Sequence, residues 1–147
     1  MKFDNKLTDM MTAAGLNLIA QALTIYDADL RLVLCNAPFQ QMFDLPKALV
    51  TAGASFEETI THLARSGEYG DVADVQAFVA ERVVQARAFE PHYMERTRAN
   101  GRTISVEGSP LPQGGWVTVY TDISRTKQQE ALLRARSDAL SGQVLAH

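Results

Sequence analysis

The dipeptide Asn100-Gly101 constrains this chain more than any other feature. Asn and Gly both tolerate positive φ, so the pair predicts a type I′ hairpin turn with both residues left-handed. The flanks agree with that reading. His92 to Arg98 runs into the turn as a strand. Arg102 to Ser109 runs out of it, with Ile104 and Val106 on one face and Thr103, Ser105 and Glu107 on the other. Pro110-Leu111-Pro112-Gln113-Gly114-Gly115 makes a second turn. Trp116 to Thr121 is then a third strand, Val117 and Val119 facing one way and Trp116 and Tyr120 the other.

Upstream, Leu23-Thr24-Ile25-Tyr26 reads as a short strand, and Asp27-Ala28-Asp29 as a polar turn. Arg31 to Cys35 returns as a strand apolar on both faces, which places it centrally or under cover. Asn36 is a good helix N-cap, Pro38 suits a first turn, and Phe39, Met42 and Phe43 give that helix an aromatic inner face ended by Pro46. Ser55-Phe56-Glu57-Glu58 is a capping box opening a helix with the stripe Phe56, Ile60 and Leu63, closed by Gly67. A longer helix follows Asp71 or Asp74, with Val75, Phe78, Val79, Val83 and Ala86 opposite Glu81, Arg82 and Arg87. Two strands, a helical block and three strands make an α+β domain: a five-stranded antiparallel sheet with helices on one face.

Each end carries a further amphipathic helix. Leu7, Met10, Met11, Ala14 and Leu18 form one stripe, interrupted by Gly15. Asp122 caps a final helix running from Arg125 to about Leu140, where positions 123, 126, 130, 133, 137, 140 and 144 follow a heptad frame. Only Ile123, Leu133, Leu140 and Val144 are apolar among them, a weak coiled coil that needs a partner. The organisation is therefore an N-terminal helix (1–22), a core (23–122) and an exit helix (123–147). Stripes that so small a core cannot bury predict a homodimer, with Leu7, Met10, Met11, Ala14 and Leu18 as its candidate interface. The heptad frame is still open at Val144, as expected of a piece of a longer protein.

Composition excludes several classes. The 147 residues make one domain, and 14 basic against 17 acidic residues leave a net charge of −3, without the basic excess of a nucleic-acid binder. A lone Cys35 rules out an internal disulfide framework or a cysteine zinc site and fits the cytosol. No apolar run is longer than Leu32 to Cys35, far short of a membrane span, and the N-terminus lacks a signal-peptide core.

Taken in order, several fragments resemble a PAS sensor domain over about residues 16 to 125. They are Tyr26-Asp27-Ala28-Asp29-Leu30-Arg31-Leu32, Asn36 with Phe39 and Phe43, Leu45-Pro46, and Gly67-Glu68-Tyr69-Gly70. Asn100-Gly101-Arg102, Ser109-Pro110-Leu111-Pro112 with Gly114-Gly115, and Tyr120-Thr121-Asp122-Ile123-Ser124 complete the set. The pattern is similar to the subfamily common in bacterial sensor histidine kinases and related signalling proteins. The resemblance implies sheet order 2-1-5-4-3 and a regulatory role. It also implies that Asp122, Ile123 and Ser124 match the family's Asp-Ile-Thr junction, where the last strand hands over to a signalling helix; Ser keeps the hydroxyl.

Catalysis is not expected: there is no G-x-S-x-G, P-loop, H-E-x-x-H or kinase signature, and three histidines are scattered. His62 could ligate haem iron in a gas or redox sensor, but haem-binding relatives place that His in the longer helix, and a surface or hydrogen-bonded imidazole is the simpler reading. His92, at a strand start, is weaker still. Cys35 lacks the Asn-Cys-Arg-Phe-Leu context of flavin-adduct relatives and suits a small core residue. Phe39, Met42, Phe43, Phe56, His62, Phe78 and Trp116 are candidates to line a ligand pocket, against the alternative that they fill the core. Two functions follow: a signal-input module relaying ligand or partner state through Asp122, Ile123 and Ser124 to an output domain such as a histidine kinase, or a ligand-free homodimerisation scaffold.

Overall fold

The computed structural model describes residues 21–145. The predicted helix through Leu7, Met10, Met11, Ala14 and Leu18 lies outside the described residues. The strands are β1 (Ala22–Tyr26), β2 (Leu32–Cys35), β3 (His92–Thr97), β4 (Thr103–Pro110) and β5 (Trp116–Asp122), and the helices are α1 (Ala37–Phe43), α2 (Phe56–Arg65), α3 (Val75–Arg87) and α4 (Ser124–Leu145). All five strands form one antiparallel sheet in the order β2-β1-β5-β4-β3, as expected.

Register fixes which side chains share the face under the helices. Tyr26 lies opposite Trp116, Thr24 opposite Thr118 and Ala22 opposite Tyr120. Tyr120 and Thr118 in turn face Val106 and Gly108, which face Met94 and His92. Because opposed residues in an antiparallel pair point the same way, these form continuous rows across the sheet. Phe39, Phe43 and Leu45 close over the rows from α1 and its exit, and Ile60, Leu63 and Val79 from α2 and α3. Phe39 is 2% exposed and Ile104 fully buried; burying one such side chain contributes about 2–3 kcal/mol.

The caps form where the sequence places them. The Asn36 side chain accepts from the N–H groups of Phe39 and Leu23 and donates to the Gln21 carbonyl, so it starts α1 and pins it to β1. Ser55 accepts from the Glu58 N–H and Asp74 from the Ala77 N–H. β2 is an edge strand rather than a central one, and the chain covers its free edge with its own backbone. Leu32 N–H donates to the Ala54 carbonyl, Gly53 N–H to the Leu32 carbonyl, and Arg31 bridges Ser55.

Three local expectations need correction. α1 stops at Asp44, which turns left-handed (φ 50°) before Pro46, and a 3-10 turn follows at Lys47–Leu49. The β3–β4 hairpin is not type I′, because only Gly101 takes a positive φ (87°). Its N–H returns to the Arg98 carbonyl, and the Asn100 side chain accepts from Arg102 N–H, so Asn acts through its carboxamide instead of its backbone tolerance. α4 runs on past Leu140 to Leu145.

Candidate functional site

α3 packs against α2 but stands off the sheet, and a cavity of about 390 Å³ occupies the gap. Its floor is the inner face of the strands: Tyr26, Trp116, Thr118 and Tyr120 centrally, with His92, Met94, Arg96 and Val106 towards the β3 edge. Phe56 and Ile60 of α2 wall one side, and Arg82, Gln85 and Ala86 of α3 the other. Tyr69, Glu90 and Pro91 complete the rim. That size suits a small organic molecule, and apolar walls with a few polar groups are what such sites present.

Trp116 owes its position to Gly108. A Cβ there would come within 2.3 Å of the indole, so only glycine lets the ring lie across β4. The indole N–H donates to the Thr118 hydroxyl at 2.8 Å, and His92 stacks on it with centroids 5.3 Å apart. Phe89 stacks on the same ring at 6.1 Å, from a backbone held at φ 48° between α3 and β3. Burial pushes the Tyr26 hydroxyl up to about 12, against a smaller lowering by Thr59, and also raises Tyr69 and Tyr120. All three are therefore neutral donors and acceptors at any ordinary pH.

Along one flank runs a chain of arginines and rings. Arg82 lies over Phe78 at 4.9 Å, Phe78 packs on Tyr69 at 4.9 Å, and Arg96 covers Tyr69 at 5.0 Å. Glu68 then binds Arg96 and Arg98, both at 2.9 Å, and Arg98 covers Phe43 at 4.9 Å while donating to the Met42 carbonyl. Burial by itself would raise the Glu68 carboxyl; the hydrogen bonds from Arg98 and Arg96 outweigh it and hold the group below the usual carboxylate range.

At the far end of β5 the Asp122 carboxylate accepts from Arg102 Nε at 2.6 Å and from the Ser124 N–H at 3.0 Å. The Arg102 bond, foremost, lowers its pKa to about 2. Ser124, buried, accepts from the Thr103 N–H at 2.9 Å, and Ile123 N–H donates to the Thr103 carbonyl. The first turn of α4 is thus stitched to β4, and Lys127 adds an ion pair to Glu95 at 2.7 Å. Further along, Leu132, Leu133 and Leu140 stand exposed.

The family model described as PAS fold matches residues 16–131. This chain belongs to the PAS family. No curated protein matches it by sequence. Among solved structures, this PAS domain is similar to that of BvgS from Bordetella pertussis, with a TM-score of 0.59, 17% identity, and 92% of this chain and 99% of that one covered. It also resembles the phage protein VqmA in a complex with DPO (TM-score 0.54, 18% identity, 92% of this chain and 61% of that one). A third is an RNA-binding light-oxygen-voltage receptor, at TM-score 0.50 and 18% identity, with 99% and 40% covered.

The PAS domain separates the sequence-derived pocket candidates into groups. Phe56 and Trp116 line the cavity. Phe39, Phe43 and Met42 pack in the core beneath Tyr120, whose ring lies 5.7 Å from Phe39 and 5.2 Å from Phe43. Phe78 sits behind Tyr69, and His62 lines a separate open depression with Arg31, Pro46 and Arg65. Cys35 donates to the Val50 carbonyl, and burial raises its thiol pKa. Among the described residues no three His, Cys, Asp or Glu side chains group to hold a metal, and no helix is long and apolar enough to cross a membrane. Sequence reasoning missed Tyr26, Tyr69, Arg82, Arg96, Thr118 and Tyr120 as cavity residues. A readable signal existed for Arg96: with a period of two it shares the inward face with His92 and Met94, an unusual place for a charge.

Proposed function

We propose that this PAS domain is a non-catalytic sensory module of a bacterial signalling protein. Its cavity takes a small molecule, and occupancy is relayed through Asp122, Ile123 and Ser124 along α4 to an output domain such as a histidine kinase. One observation carries the reading. β5 supplies Trp116, Thr118 and Tyr120 to the cavity floor, and two residues after Tyr120 its Asp122 anchors α4. A shift of that strand therefore reaches the helix without an intermediary, and it biases output only as far as the ligand prefers one arrangement. The leucines left in water on α4 support pairing with a second copy, so that the output would be a dimer. The divisions 1–22, 23–122 and 123–147 serve as leading segment, sensor and relay, and the lone cysteine supports a cytoplasmic setting.

Hydrogen exchange tests the relay in this chain. With phenylacetamide filling the cavity, the amides of Ser124 to Gln128 should change protection several-fold, and Asp122→Ala should abolish that response. Unchanged protection, at concentrations where Trp116 emission registers binding, would refute it.

A further inference from the structure

The charges around the cavity do not balance. Glu68 is one carboxylate shared by two guanidinium groups, Arg96 and Arg98. Arg98 commits its Nε and Nη2 to Glu68 and the Met42 carbonyl, whereas Arg96 spends a single N–H on Glu68. Arg82 has no carboxylate partner among the described residues: its guanidinium lies over Phe78 and makes one long contact of 3.5 Å to the Gln85 side chain on its own helix. Both Arg82 and Arg96 line the cavity, and the one carboxylate that lines it, Glu90, is exposed at the rim. Half-buried cations with spare donors, beside aromatic walls, call for an anion with an apolar body.

We infer that the ligand is a small carboxylate, its anionic end on Arg82 with Arg96 beside it and its apolar body against Phe56 and Trp116. This rests on the cavity being the sensory site. A guanidinium fork matches a carboxylate with two parallel N–H bonds, and Arg82 can turn to it at little cost because it breaks no ion pair. Gln85, one turn on, can donate its amide to the same group. An aryl acid and an alkyl acid share this chemistry and differ only in how the body meets the rings.

Trp116 is the chain's only tryptophan and lies in the cavity wall, so its emission reports occupancy directly. Titrations with phenylacetate, octanoate and the uncharged phenylacetamide separate the terms. The acids should bind at least about tenfold more tightly than the amide, as a charge-assisted pair exceeds a neutral one. Whichever acid binds better identifies the body as aryl or alkyl. Arg82→Gln should bring acid and amide to within about threefold of each other, because the acids lose far more than the amide does. Should that variant fold poorly by circular dichroism, Glu90→Gln provides the second reading, raising affinity for the acids about twofold and not for the amide. Equal binding of acid and amide in the unaltered protein overturns the anion assignment, and an acid preference that survives Arg82→Gln overturns the placing of the carboxylate on Arg82; either result leaves the cavity a ligand site. If neither acid nor amide perturbs Trp116, both the assignment and the sensory reading of the cavity fall.

Discussion

Replacing Glu68 by Gln isolates the cluster that ties three separate parts of the domain together. Its carboxylate accepts from Arg96 Nη1, from Arg98 Nη2, and from Arg98 Nε with both oxygens. The side chain is 8% exposed, against 10% for Arg98 and 19% for Arg96, so these groups are largely out of water. Gln keeps the shape but offers one acceptor oxygen, turns an N–H₂ towards a guanidinium, and leaves two like charges unneutralised. Removing one partner of a buried pair costs about 3–5 kcal/mol, and partial hydration of Arg96 reduces this to about 2–4 kcal/mol. For a domain of this size the loss corresponds to a Tm lower by roughly 6–12 °C in a calorimetric scan. Because the folded carboxyl is held below its unfolded value, its contribution is present above about pH 4 and disappears as the pH falls through the lowered range; the gap between the two proteins should close there. Arg98→Met combined with Glu68→Gln should lose less than the sum of the two. A Glu68→Gln protein that melts within about 2 °C of the original at neutral pH would refute the reasoning, since no large contribution could then reside in the cluster.

Gly108→Ala drives a methyl into the Trp116 ring, so the indole must leave the Thr118 hydroxyl; emission should shift and stability fall by about 1–3 kcal/mol, while an unshifted spectrum contradicts the packing. Asp122→Ala removes the acceptor for Ser124 N–H and the Arg102 partner, and should fray the start of α4 at a cost of at most about 1 kcal/mol, since the carboxylate is exposed. That loss is seen above about pH 4 and vanishes as the pH falls through about 2, so urea midpoints of the two proteins that stay apart below that pH would contradict it. Leu133→Lys with Leu140→Lys should give a monomer by light scattering where the parent dimerises; a parent that is itself monomeric at high concentration removes the self-association reading.

The sheet was legible because alternation and turn chemistry speak locally. Val117 and Val119 against Trp116 and Tyr120, and the Asn36, Ser55 and Asp74 caps, need no knowledge of what is far away. Asn100-Gly101 located its hairpin for a partly wrong reason: the carboxamide stabilises the turn and Gly101 alone needs the left-handed backbone. The left-handed Asp44 was not legible, since nothing in its neighbours demands it. The cavity was harder again. Phe39 and Phe56 are equivalent as sequence, yet one is sealed under Tyr120 and the other borders a void, because the distance at which α3 stands from the sheet decides it. Glu68 and Arg98 lie 30 positions apart, and no periodic pattern links a loop carboxylate to a guanidinium just past the end of a strand.

Phe89 ties comfort and closure to one position. A bulky L-residue at φ 48° sits about 1–2 kcal/mol above its relaxed backbone, and its ring stacks on the indole that helps to line the cavity. A glycine would relax the peptide but remove the ring stacked on Trp116; any ring retained keeps the tension. The connector at 88–91, which carries this strained residue between α3 and β3, is where thermal breathing should begin, well before any strand lets go.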